Sequence, residues 1–71
     1  MNIQINRLGK ILQGDEKGYY IKIIDDLDNT GSFLILTSPD IDMKKGFDNW
    51  VKDKRSLEGY FMESNWLIEW L

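Results

Sequence analysis

The chain has 71 residues, no cysteine and no histidine, and a net charge of −3 at neutral pH. That length points to one domain, residues 1–71, burying only roughly 60% of its unfolded surface. The missing residue types remove disulfides, Cys-based metal sites and the commonest general base and metal ligand. The acidic balance argues against nucleic-acid binding, which needs Lys and Arg to displace counterions.

Aromatic residues make up 13% of the chain, enough to stand in for a larger core, since each ring can bury on the order of 150–250 Å². The opening stretch, Met1 to Arg7, lacks the charged lead and apolar block of a signal peptide. No apolar run approaches the roughly 20 residues of a membrane span. The expected address is the cytoplasm, with no membrane partner.

Ile3, Ile5 and Arg7 alternate with Gln4, Asn6 and Leu8, a strand pattern. Gly9 interrupts it and suggests a bulge or sharp bend, so Ile3–Gln13 reads as one bent strand. Gly14–Gly18 is a turn with glycine at both ends, where positive φ is cheap. Tyr19–Ile24, rich in β-branched and aromatic residues, predicts a second strand. A polar acidic link, Asp25–Gly31, leads to a third, Ser32–Thr37.

That third strand lies in Gly31–Asp40, the stretch around which the rest is arranged. Phe33-Leu34-Ile35-Leu36 is the most apolar run in the chain. Its length and flanking turn signals predict a strand buried on both faces.

Ser38-Pro39-Asp40 resembles a helix start, with a short turn of helix ending at Lys44-Lys45 and Gly46 as its left-handed cap. Phe47, Trp50 and Val51 then fall at i, i+3, i+4 and predict an amphipathic helix. Leu57, Tyr60 and Phe61 repeat that spacing, so Ser56–Glu63 reads as helix capped by Ser56. Gly59 weighs against it, at about 1 kcal/mol relative to Ala. The competing reading is a strand in a hairpin through Ser64-Asn65. Trp66–Leu71 alternates and predicts the final strand. The expected fold is α+β: a mostly antiparallel four-stranded sheet, made of an N-terminal meander and the C-terminal strand, with one or two helices on one face.

Asp26-Leu27-Asp28-Asn29-Thr30-Gly31 matches the start of an EF-hand loop, but Thr37 stands where a bidentate Glu is needed and the flanks read as strands. Asp, Asn and Gly are also what a hairpin link uses for turn geometry alone, so no metal or other cofactor is expected. Nothing in the spacing selects two carboxylates as a glycosidase pair. The serines have no histidine to activate them, and no glycine-rich phosphate loop is present. The expectation is a non-enzymatic chain with no catalytic residue.

Binding is the remaining class. Trp50, Tyr60, Phe61, Trp66 and Trp70 suit a small core, but Trp and Tyr also anchor protein contacts. Trp50, Tyr60 and Trp66 are therefore candidate partner contacts. Asp25, Asp26 and Asp28 on one connection and Asp40 and Asp42 on the next are the others, if they cluster at one end of the sheet as a negative patch for a basic partner.

Gly31–Pro39, Phe47-Asp48-x-Trp50-Val51 and Ile68-Glu69-Trp70 together resemble the pattern of small bacterial immunity proteins of polymorphic toxin systems. The resemblance covers roughly the last 40 residues, mostly core positions. It implies a small acidic binding protein that occludes a basic toxin, and it transfers no functional residue by position. The alternative is an assembly module that self-associates through its C-terminal aromatic surface. The expected state is accordingly monomer or homodimer.

Overall fold

A computed structural model of the chain describes residues 3–71. Met1 and Asn2, part of the stretch read for a leader, lie outside the described residues. The order is β1 (Leu8–Gln13), β2 (Tyr20–Asp26), β3 (Ser32–Ser38), β4 (Phe47–Val51), α1 (Lys54–Ser64) and β5 (Leu67–Trp70). The strands form one antiparallel sheet in the order β4-β3-β2-β1-β5. The chain is a small α+β domain, with five strands where four were expected.

The added strand is Phe47–Val51, read from its spacing as a helix. Six residues between Gly46 and the α1 cap are too few for a stable helix but a common strand length. Pairing from Phe33↔Val51 to Thr37↔Phe47 satisfies the outer edge of β3, a backbone requirement that outweighs a three-residue periodicity. Gly46 does not take the left-handed cap conformation. A Cβ there would run into the Thr37 carbonyl, so glycine lets the loop press onto β3. Ser38–Asp40 starts no helix: the Ser38 hydroxyl donates to the Lys45 carbonyl and accepts from the Asp40 amide, closing a loop.

β1 is shorter than the bent strand predicted. A turn at Ile5 and Asn6 precedes it, with Asn6 at φ 58° and its amide bonded to the Ile23 carbonyl. Gly9 makes no bulge with β2. It pairs with Trp70 of β5, and a Cβ would stand 2.6 Å from Ile68 Cγ2 and 2.9 Å from Trp70 Cε3. Glycine is present so that these side chains can lie against the strand.

The segment from Ser56 to Glu63 is helical, within α1. Its cap is Asp53 rather than Ser56: Asp53 Oδ1 accepts from the Ser56 amide at 2.7 Å. Asn65, left-handed at φ 56°, closes the other end by donating to Met62 and Phe61 carbonyls. The Ser56 amide lowers the Asp53 pKa below the ordinary carboxylate value, with the serine side chain and nearby Lys52 and Arg55 adding to the effect. A depressed folded pKa contributes stability that is present above the unfolded value, about pH 4, and lost as pH falls through the folded one. Urea midpoints measured across that acid range should fall more steeply for the wild type than for Asp53→Asn, which caps without titrating.

Gly59 lies inside α1, and a methyl group added to its Cα would meet nothing within 4 Å. Gly59→Ala should therefore stabilise the fold by about 0.5–1 kcal/mol, seen as a rise in thermal midpoint.

Ile11, Ile21, Ile23, Phe33, Ile35, Leu57 and Phe61 form the buried core between the helix and one face of the sheet. Among the described residues no helix is long and apolar enough to cross a membrane.

Candidate interaction surface

Antiparallel pairing aligns side chains in rows across the sheet, and successive residues alternate faces. One set of rows, including Ile23–Ile35 and Phe33–Val51, lies under α1. The other runs Leu8–Lys22–Leu36–Asp48, then Ile24–Leu34–Trp50, with Lys10–Tyr20 beside them. The helix covers only the first face. The apolar run of β3 was expected to be buried on both; instead Phe33 and Ile35 are buried while Leu34 and Leu36 are partly exposed.

The open face is thus an apolar field carrying a few charges. Trp50 is 51% exposed at its β4 side. Lys10 Nζ sits 5.7 Å from the Tyr20 ring centre, within reach of a cation–π contact. At the end formed by the β3–β4 loop a shallow groove of about 280 Å³ is lined by Leu36 and Asp48 of this face, Thr37 and Phe47 of the other, and Met43 and Lys44 of the loop.

The acidic candidates do not cluster. In an antiparallel meander successive loops lie at opposite ends, so Asp25, Asp26 and Asp28 sit at one end of the sheet and Asp40 and Asp42 at the other. A seven-residue β3 separates them by roughly 20 Å. Several of these carboxylates build their own loops. Asp25 Oδ1 accepts from the Leu27 amide; Asp26 accepts from Asn29 Nδ2 and from the Thr30 hydroxyl. Asp42 accepts from the Lys44 amide and lies 3.9 Å from its ammonium. The EF-hand-like stretch is therefore a turn tied by Asp26, and no group of three or more potential metal ligands is present among the described residues. The Asp28 and Asp40 carboxylates take no part in these bonds.

The aromatic candidates also separate. Trp50 belongs to the open face. Tyr60 and Trp66 are half-buried on the helix side, their ring centres 5.4 Å apart, with Phe61 edge-on to Trp66 at 5.0 Å. Trp66 Nε1 donates to the Asp15 carbonyl at 2.6 Å, tying the end of α1 to the β1–β2 turn. Burial raises the Tyr60 pKa, helped by the Glu16 and Asp15 carboxylates.

Leu8, Lys22, Ile24, Leu34 and Leu36 were absent from the candidates read from sequence. A count of covering elements would have found them: one 11-residue helix masks one face of a sheet, leaving the second face of every apolar strand uncovered.

Comparison of the chain with protein-family models, with curated proteins and with solved structures finds no match.

Proposed function

We propose that this chain is a non-enzymatic protein-binding domain, and that its contact surface is the open sheet face. The observation that carries the reading is the Ile24–Leu34–Trp50 row with Leu8 and Leu36 beside it, left without a covering element. Contiguous apolar surface rimmed by polar groups is the usual anatomy of a protein contact. The β2–β3 loop at one end carries Asp25, Asp26 and Asp28, while the β3–β4 loop at the other sets Lys44 and Lys45 beside Asp40 and Asp42, so a partner with an apolar centre and a basic flank at the β2–β3 end fits it best. Occlusion of a basic toxin, as in the immunity proteins the sequence resembles, is one form of that function. Net charge −3 favours encounter with such a partner.

The test is capture from lysate of the source cell with tagged protein at low and high salt. A stoichiometric basic partner should be retained by the wild type and by Glu58→Lys, on the exposed side of α1. It should be weakened by high salt and by Asp28→Asn with Asp40→Asn, and lost with Leu36→Lys, after circular dichroism has confirmed each fold. Recovery of the bait alone, or a partner indifferent to Leu36→Lys, would overturn the reading.

A further inference from the structure

A second surface carries an inference independent of the open face: the outer edge of β4. This strand has one neighbour, β3, so its outward backbone groups form an unpaired ladder. Such edges are commonly blunted by proline, bulges or charged side chains, lysine above all. β4, Phe47-Asp48-Asn49-Trp50-Val51, has no proline, bulge or lysine between its ends, and Asp48 is its one charge. Its pairing with β3 runs without a register shift, whereas β5 at the other edge has four residues and an irregular ladder with β1. Phe47 is 60% exposed and Trp50 51%.

We propose that the β4 edge docks a second copy of this chain, strand against antiparallel strand, joining two sheets into one. The argument is self-complementarity. A two-fold axis perpendicular to the sheet must pair residues of the same face, so it stands midway between one residue of β4 and the same residue of the second copy. Only Asn49 as that centre pairs every residue of the strand. Phe47 then opposes Val51 of the second copy on the helix side, an apolar pair made twice by symmetry. Asn49 meets Asn49, two amides able to bond each other. Asp48 opposes Trp50 on the open side and has Lys52 and Asp48 of the second copy as its diagonal neighbours, so two Asp48–Lys52 attractions outnumber one Asp48–Asp48 repulsion across the axis. No like charges stand opposite one another in this register. The symmetry is isologous and closes at two copies, so it yields a dimer and not a fibre. Both helices fall on one side, and the two open faces become one continuous surface.

The experiment is sedimentation equilibrium of purified protein from micromolar to millimolar concentration, with no other protein present. The wild type should rise from the 8.4 kDa of one chain to twice that mass. Asn49→Asp sets two carboxylates against each other at the axis and should weaken dimerisation about two- to fivefold. Asn49→Thr, neutral and strand-favouring, should keep it. Asp48→Lys should weaken the dimer by repelling Lys52, and adding Lys52→Asp should restore it. Asn49, Asp48 and Lys52 are exposed, so circular dichroism should show all variants folded. A wild type at monomer mass throughout overturns the proposal. So does a dimer indifferent to both Asn49→Asp and Asp48→Lys. Leu36→Lys should leave the dimer intact, which separates failure here from failure of the open-face reading.

Discussion

Replacing Ile35 by alanine is expected to destabilise the fold by about 3 kcal/mol, while Leu34→Ala, one residue earlier on the same strand, costs about 1 kcal/mol or less. The two side chains are nearly identical in apolar content. Their surroundings differ: Ile35 is 0% exposed beneath α1, and Leu34 lies on the uncovered face. Truncating Ile35 removes contacts and leaves a cavity that the sheet, fixed by its hydrogen bonds, collapses into only partly. Truncating Leu34 loses a fraction of a transfer energy and opens no cavity. A domain of this size has a total stability of roughly 4–10 kcal/mol, so Ile35→Ala should remove a large share. Urea unfolding of both variants checks this. Equal losses would mean that the second face is also covered in solution, and wild-type-like dilution behaviour would then point to a cover within the same chain.

Trp66→Ala should cost about 3 kcal/mol, and Trp66→Phe about 1 kcal/mol. The alanine variant removes a ring packed on Tyr60 and Phe61 and cuts the tie from the end of α1 to the β1–β2 turn. The phenylalanine variant keeps much of the packing and loses chiefly the indole bond to Asp15. For a chain this short, 1 kcal/mol shifts the thermal midpoint by roughly 4–8 °C, so differential scanning calorimetry resolves the series. Trp50→Ala, on the exposed side of β4, should move the midpoint little. The opposite ranking, with Trp50 critical to the fold and Trp66 neutral, would make Trp66 the surface anchor that its residue type alone suggests.

These contrasts bear on where binding energy can reside. Tyr60 and Trp66 contribute to holding the helix on the sheet, so their loss would impair binding through folding. Trp50 and Leu36 have no such duty, and a variant there tests contact directly. The acidic residues divide in the same way. Asp26 shapes the β2–β3 turn, while Asp28 and Asp40 leave their charge available to a partner at the two ends of the sheet.

The alternation of Tyr19–Ile24, the apolar run of Phe33–Leu36 and the glycines around the first turn were enough to place β2, β3 and the hairpin from the sequence. Gly14 and Gly18 do adopt positive φ, at 97° and 93°. The spacing of Leu57, Tyr60 and Phe61 placed α1 despite Gly59, and the alternation from Trp66 placed β5. These are local signals: a side chain's period and a residue's backbone freedom are properties of a few consecutive residues.

What failed to appear in the sequence depends on residues far apart in the chain. Phe47–Val51 is a strand because β3 presents an unpaired edge, and its own spacing fits a helical turn equally well. Gly9 is required by Ile68 and Trp70, at the far end of the chain. Whether Leu34 is core or surface turns on how many faces a single helix can cover, and whether two acidic loops meet turns on the direction in which the strands run. Each is settled by which elements pack together, and only the tertiary structure holds that information.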